Sequence, residues 1–231
     1  MEEICMGLFE APARVSRCGA AESYRDKAER LTNEARQLLT EGRYGEAEGR
    51  ARALVVHLGG ALGERHSAYA AGLCLLADAL IARGELNDAD TLVERAVELL
   101  RESLGARHPD YASALDQRAR LLLRRGELEA AERLLREVLE VRKEVLGESH
   151  PDYASSLATL GELLWSRGDP AESEAVLRDA LAIRRGALGE THPDVAGILL
   201  ALSGVLSATD RLNEAETLLR TAAELTRPLG E

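Results

Sequence analysis

His66, His108, His150 and His192 stand 42 residues apart, and Gly42, Gly84, Gly126 and Gly168 keep the same interval. A chain that repeats at a fixed period is an array. Each unit is too small to bury its own apolar face and must stack it on its neighbours. The repeats run 24–65, 66–107, 108–149, 150–191 and 192–231, after a non-repeating segment, 1–23. Repeats two to four are regular. In the first, Tyr24 replaces the histidine and His57 with Gly59-Gly60 is expected to loosen the second helix. In the fifth, Asp210 replaces the turn glycine and Pro228 shortens the last helix.

Each repeat reads as two helices. In the central copy Tyr153, Ala154, Leu157, Leu160, Gly161 and Leu164 recur at three- and four-residue steps and form one helical stripe, helix A. His150-Pro151-Asp152 is its start: proline in the first turn gives up an N–H that has no partner anyway, and aspartate adds a favourable charge. The pattern breaks at Arg167-Gly168-Asp169-Pro170, where glycine closes the helix in the left-handed conformation. Helix B then buries Ala175, Val176, Leu177, Ala180, Leu181 and Ile183. A loop this short makes the two helices antiparallel. With aromatics at only 3% of the chain, the interior is built from Leu, Ala and Val. The expected fold is all-α, a right-handed α-solenoid of five antiparallel helix pairs.

These features resemble the tetratricopeptide repeat in its 42-residue form, as in kinesin light chains. Three sets of residues carry the resemblance. Small residues let helices A and B approach: Ala35, Ala77, Ala119 and Gly161 in helix A, and Ala47, Ala89, Ala131 and Ala215 in helix B. Leucines recur early in helix A (Leu73, Leu115, Leu157, Leu199) and again near its end (Leu80, Leu122, Leu164, Leu206). LGxxHPD junctions recur at Leu104–Asp110, Leu146–Asp152 and Leu188–Asp194.

Several functions are excluded on chemical grounds. A net charge of −11 argues against a nucleic-acid binder or a binder of anionic membranes, since phosphate neutralisation needs clustered Lys and Arg. Cys5, Cys18 and Cys74 have no disulfide or zinc spacing, so no metal and no cofactor is expected. The in-register histidines are displaced by about 10 Å per repeat and cannot converge on one ion. They read as helix-start residues. The acids at the start of each helix B (Glu46, Glu48, Asp88, Asp90, Glu132, Glu172, Glu174, Glu214, Glu216) read as helix-dipole compensation and a solvated face. No phosphate-binding or nucleophile motif is present, so the chain reads as no enzyme. Residues 1–23 carry acids where a secretory signal needs bases, which points to the cytoplasm. Two readings of that segment stand: Ile4, Met6, Leu8 and Phe9 cap the first repeat, or the segment is disordered.

The resemblance implies that helix A lines a concave groove and that its non-core positions bind a partner peptide or helix. By register the candidate positions are Asp78, Ile81, Asp116, Arg120, Leu123, Arg124, Glu162, Trp165 and Leu200. Trp165 is the single tryptophan and falls on a variable position. Aromatic and Arg side chains are the usual anchors of an interface, and Trp165 beside Arg120 and Arg124 suits an apolar residue next to an acidic one. The alternative is that it fills space between repeats three and four. One departure from kinesin light chains is plain. Their paired helix-A asparagines are here Cys74-Leu75, Asp116-Gln117, Ala158-Thr159 and Leu200-Ala201. The reading is a non-enzymatic, cytoplasmic scaffold that binds a protein or peptide partner in the groove. Its alternatives are head-to-tail self-association through uncapped terminal repeats, and a regulatory arm of a larger signalling protein.

Overall fold

The computed structural model describes residues 23–226, and ten α-helices make up all the regular structure among them. The calls on residues 1–22 and on Pro228 and its neighbours lie outside the described residues. Two compact units divide at Ala106 and Arg107. The first contains α1 (Tyr24–Thr40), α2 (Tyr44–Leu62), α3 (Ser67–Arg83) and α4 (Leu86–Leu104). The second contains α5 (Pro109–Arg124), α6 (Leu128–Val145), α7 (Pro151–Arg167), α8 (Pro170–Leu188), α9 (Val195–Ala208) and α10 (Leu212–Leu225). Helices pair in sequence, α1 with α2 through α9 with α10, giving the all-α solenoid of helix pairs that the period implies.

The histidines act as N-caps. Nδ1 of His66, His108 and His150 accepts from the backbone N–H two residues on, each at 3.1 Å, satisfying one of the donors a helix start leaves bare. His192 makes the same bond at 3.2 Å, but the helix behind it starts only at Val195. There the first turn is wound tighter, with Val195 N–H donating to His192 O and Ala196 N–H to Pro193 O, three residues back instead of four. At the other end of helix A the fifth repeat keeps the turn without glycine: Asp210 takes φ 60°, and Asp tolerates this region better than most residues. The LG junctions are stricter. Gly63, Gly105 and Gly189 combine φ of 85°, 88° and 94° with ψ of 155°, 163° and 160°, a region essentially closed to side chains. The expected loosening at Gly59-Gly60 does not occur: α2 runs through both, the ring of Tyr69 fills the space where a Gly59 Cβ would point, and His57 Nε2 bonds Tyr24 O at 2.9 Å.

Small residues set the A–B spacing as the sequence implies. Ala35, Ala47, Ala77, Ala89, Ala119 and Ala131 are fully buried. In the fourth repeat the pair is Gly161 and Ser173, and the buried Ser173 hydroxyl donates to Gly161 O at 2.7 Å. Apolar residues of the following helix A close the stack: Leu163 packs with Ala131 and Leu135, and Val205 with Leu177, Ala180 and Leu181. The same register position in the first repeat is Gln37, exposed, and with Arg30 and Asn33 it gives α1 a polar outer stripe where the second repeat has Ala79, Gly72 and Leu75.

The acids of helix B do more than the sequence suggests. Glu48 is 4% exposed and is held by Arg52 at 2.7 Å and by Arg83 of the next helix A. At the same register position in the third and fourth repeats, Glu132 takes Arg167 at 2.9 Å, and Glu174 takes Arg211 at 2.6 Å. Each acid staples its repeat to the one after it. Hydrogen bonds from Arg178 and then Arg211 hold the Glu174 carboxyl below its ordinary pKa. A lowered carboxyl pKa adds stability above the unfolded-state value, about 4.3, and that stability is lost as pH falls through the folded value. Glu174→Gln is therefore expected to be less stable than the wild type at pH 7 and equal to it in strong acid. Parallel melts across pH check this, and a difference that persists in strong acid would show another cause.

Candidate protein-interaction groove

The candidate positions divide between the units. Asp78, exposed, and Ile81, half-buried, lie on α3 of the first unit. The other seven lie in the second, where α5 touches α7 and α7 touches α9, so three A helices stand side by side. Arg120, Arg124, Glu162, Trp165 and Leu200 are exposed on that face, with Trp165 at 41% and Leu200 at 51%. Leu123 is only half exposed because it packs on the core around Ala119, Leu135 and Leu163.

Asp116 is the exception. It is 3% exposed, so it meets the groove only through Arg120, whose Nε lies 3.3 Å from Asp116 Oδ2. Behind it stands Arg142 of α6, 5% exposed, with Nη1 3.6 Å from Asp116 Oδ1. Arg142 also donates to Asp152 O at 2.7 Å and to Ser156 Oγ at 2.6 Å. A buried guanidinium thus ties α6 to α7 while its charge compensates a buried carboxylate. Sequence reasoning missed it, although Leu100 at the same register position marks Arg142 as a change of residue type.

Glu162 sits near both groove arginines. Partial desolvation raises its carboxyl pKa, Arg120 and Arg124 oppose the shift, and Asp116 adds to it. Arg124 forms no ion pair among the described residues and is exposed, so its charge is available to an incoming group. Beside these charges lies a hollow of about 340 Å³ bordered by Trp165, Glu162, Leu200, Gly161, Gly197 and Gly204. Gly197 and Gly204 of α9 leave it open, and Trp165 borders it from α7. Its size suits one large apolar side chain with charged groups at the mouth. Among the described residues no cluster of His, Cys, Asp and Glu is placed to hold a metal, and no helix is long and apolar enough to cross a membrane.

The tetratricopeptide repeat model matches at 68–144, 117–186 and 160–227, which together span well over half of the chain. The protein belongs to the tetratricopeptide repeat family. No curated protein sequence matches it. Among solved structures, nearly identical tetratricopeptide-like repeats of a putative kinesin light chain from Podosopora anserina are similar at 23% identity and TM-score 0.66, over 89% of this chain and 96% of that one. BtubC from P. vanneervenii is similar at 21% identity and TM-score 0.65, over 91% and 96%. A Rap protein complexed with Competence and Sporulation Factor is similar at 16% and TM-score 0.74, over 89% of this chain but 56% of that one. At these identities the likenesses establish the fold, a tetratricopeptide repeat array of the kinesin light chain type. Such an array is a protein–protein interaction scaffold.

Proposed function

We propose that the protein is a non-enzymatic cytoplasmic scaffold whose α5–α7–α9 face binds a segment of a partner protein. An apolar side chain enters the hollow beside Trp165, and an acidic group meets Arg124 and Arg120. The observation that carries this is the exposure of Trp165 at the edge of an apolar hollow, where water contact costs free energy that a partner would recover. The stacked helices are ordered beforehand, so most of the conformational loss on docking falls on the partner. The similar Rap structure, complexed with Competence and Sporulation Factor, is consistent with a binding role for this fold.

The test compares the wild type with a Trp165→Ala, Arg120→Glu, Arg124→Glu variant in affinity capture from source-cell lysate. The variant is expected to lose a partner that the wild type retains. Because Arg120→Glu also sets a like charge beside the buried Asp116, the pair Trp165→Ala/Arg124→Glu, whose side chains are exposed, is the variant expected to lose the partner while keeping its melting temperature. A segment of that partner should then shift the emission of Trp165, the single tryptophan of the chain. Equal capture by both proteins would place binding elsewhere.

A second reading, self-association, has one observation behind it. Leu219 on α10 is 44% exposed, whereas its register equivalents Leu177 and Leu135 are 1% and 0% exposed. The head-to-tail form is opposed by the polar stripe Arg30, Asn33 and Gln37 on α1, which offers Leu219 no apolar seat. Mass that rises with concentration would favour self-association over groove binding.

A further inference from the structure

The first unit carries a second groove, between α1 and α2, that no part of the proposed function uses. Its volume is about 850 Å³, and its lining includes Lys27, Arg30, Arg50 and Arg52 around Ala53 and Val56. Val56 is 76% exposed, the most exposed large apolar side chain among the described residues. None of the described lining residues is an acid, in a chain whose net charge is −11. Neighbouring carboxylates are shared: Glu34 serves Arg30 at 2.9 Å and Arg50 at 3.1 Å, and Glu48 serves Arg52 and Arg83. Lys27 has no ion-pair partner among the described residues. The groove therefore favours an occupant that is both acidic and apolar.

We propose that this occupant is the chain's own segment 1–22. Its first ten residues, MEEICMGLFE, place Glu2, Glu3 and Glu10 around Ile4, Met6, Leu8 and Phe9 and contain no base. Charge and apolarity match the groove on both counts. Attachment favours it too, because the segment joins the fold at Ser23, the N-cap of the helix that carries Lys27. The intervening residues 11–22 reach at most about 40 Å when extended. The 19 residues of α2 span about 28 Å. The first ten residues can thus meet the whole groove. A tether of this length holds them at a millimolar effective concentration, so a weak intrinsic affinity is enough for occupancy.

Hydrogen–deuterium exchange on the full chain tests this, with synthetic peptide 1–22 as the reference for undocked exchange. Amides within residues 1–10 are expected to exchange at least about tenfold more slowly in the chain than in the peptide. This protection should not depend on protein concentration. It should vanish in Lys27→Glu/Val56→Glu, where both altered side chains are exposed, and in Glu2→Lys/Glu3→Lys, which leaves the helices untouched. Exchange at the free-peptide rate would overturn the proposal. So would protection that survives both variants, which places the segment elsewhere, or protection that rises with concentration, which assigns the groove to a second copy's segment. Competition by an acidic segment of another protein is a separate outcome: if the groove is already open in the isolated chain, the in-cis occupant is wrong.

Discussion

Gly161→Leu is expected to destabilise the second unit by about 3 kcal/mol or more. A Cβ at this position would lie 2.6 Å from Leu177 Cγ and 2.7 Å from its Cδ2, closer than real Cβ contacts come. The Ser173–Gly161 hydrogen bond holds α8 against α7, so the clash cannot be relieved by sliding without losing that bond. Alanine separates the causes. It improves helix propensity by about 1 kcal/mol over glycine yet meets Leu177, so Gly161→Ala is expected to destabilise the wild type but to stabilise a Leu177→Ala background. A double-mutant cycle read by urea melts gives the coupling directly. Additive effects would show that α7 and α8 lie no closer than the helices of the third repeat, where Ala119 and Leu135 coexist.

The second large effect lies at Arg142. Arg142→Ala removes three hydrogen bonds that tie α6 to its neighbours and strips Asp116 of a compensating charge in a buried setting. The expected loss is about 3–5 kcal/mol. Arg142→Met combined with Asp116→Leu should recover most of it, because exchanging both members of a buried ion pair for apolar residues is often neutral. Denaturant melts of the two variants decide between a charge penalty and a packing penalty. If the double variant is no more stable than the single, then the bonds to Asp152 and Ser156 are the main contribution.

The period made the fold legible. Four histidines and eight leucines in register were enough to place the helix starts, the A–B turns and the core, because those positions face the same kind of neighbour in every repeat. What differs between repeats was less legible. Asp116 is on a groove-facing register position yet is buried, because Arg142 reaches it from another helix, and the repeat pattern alone does not say how far a long side chain reaches. Glu48, Glu132 and Glu174 read as dipole compensation, but their partners are 35 or 37 residues away, Arg83 and Arg167 at the end of the next helix A and Arg211 in the turn behind it. Register identifies which helices are adjacent, not which side chains pair. The hollow beside Trp165 was invisible for a third reason: it is made by residues that lack side chains.

Two of those residues lie on α9, Gly197 in its first turn and Gly204 in its interior, and nothing lies within 4 Å of where either Cβ would be. Alanine would fit at both. A helix selected for persistence alone would carry it, since each interior glycine costs roughly 0.5–1 kcal/mol relative to alanine. The fifth repeat gives up that much at Gly204 and keeps a vacant volume in return. That vacancy can be filled stepwise: adding a methyl group at 197, at 204 or at both would reduce its volume while leaving the packing beneath undisturbed.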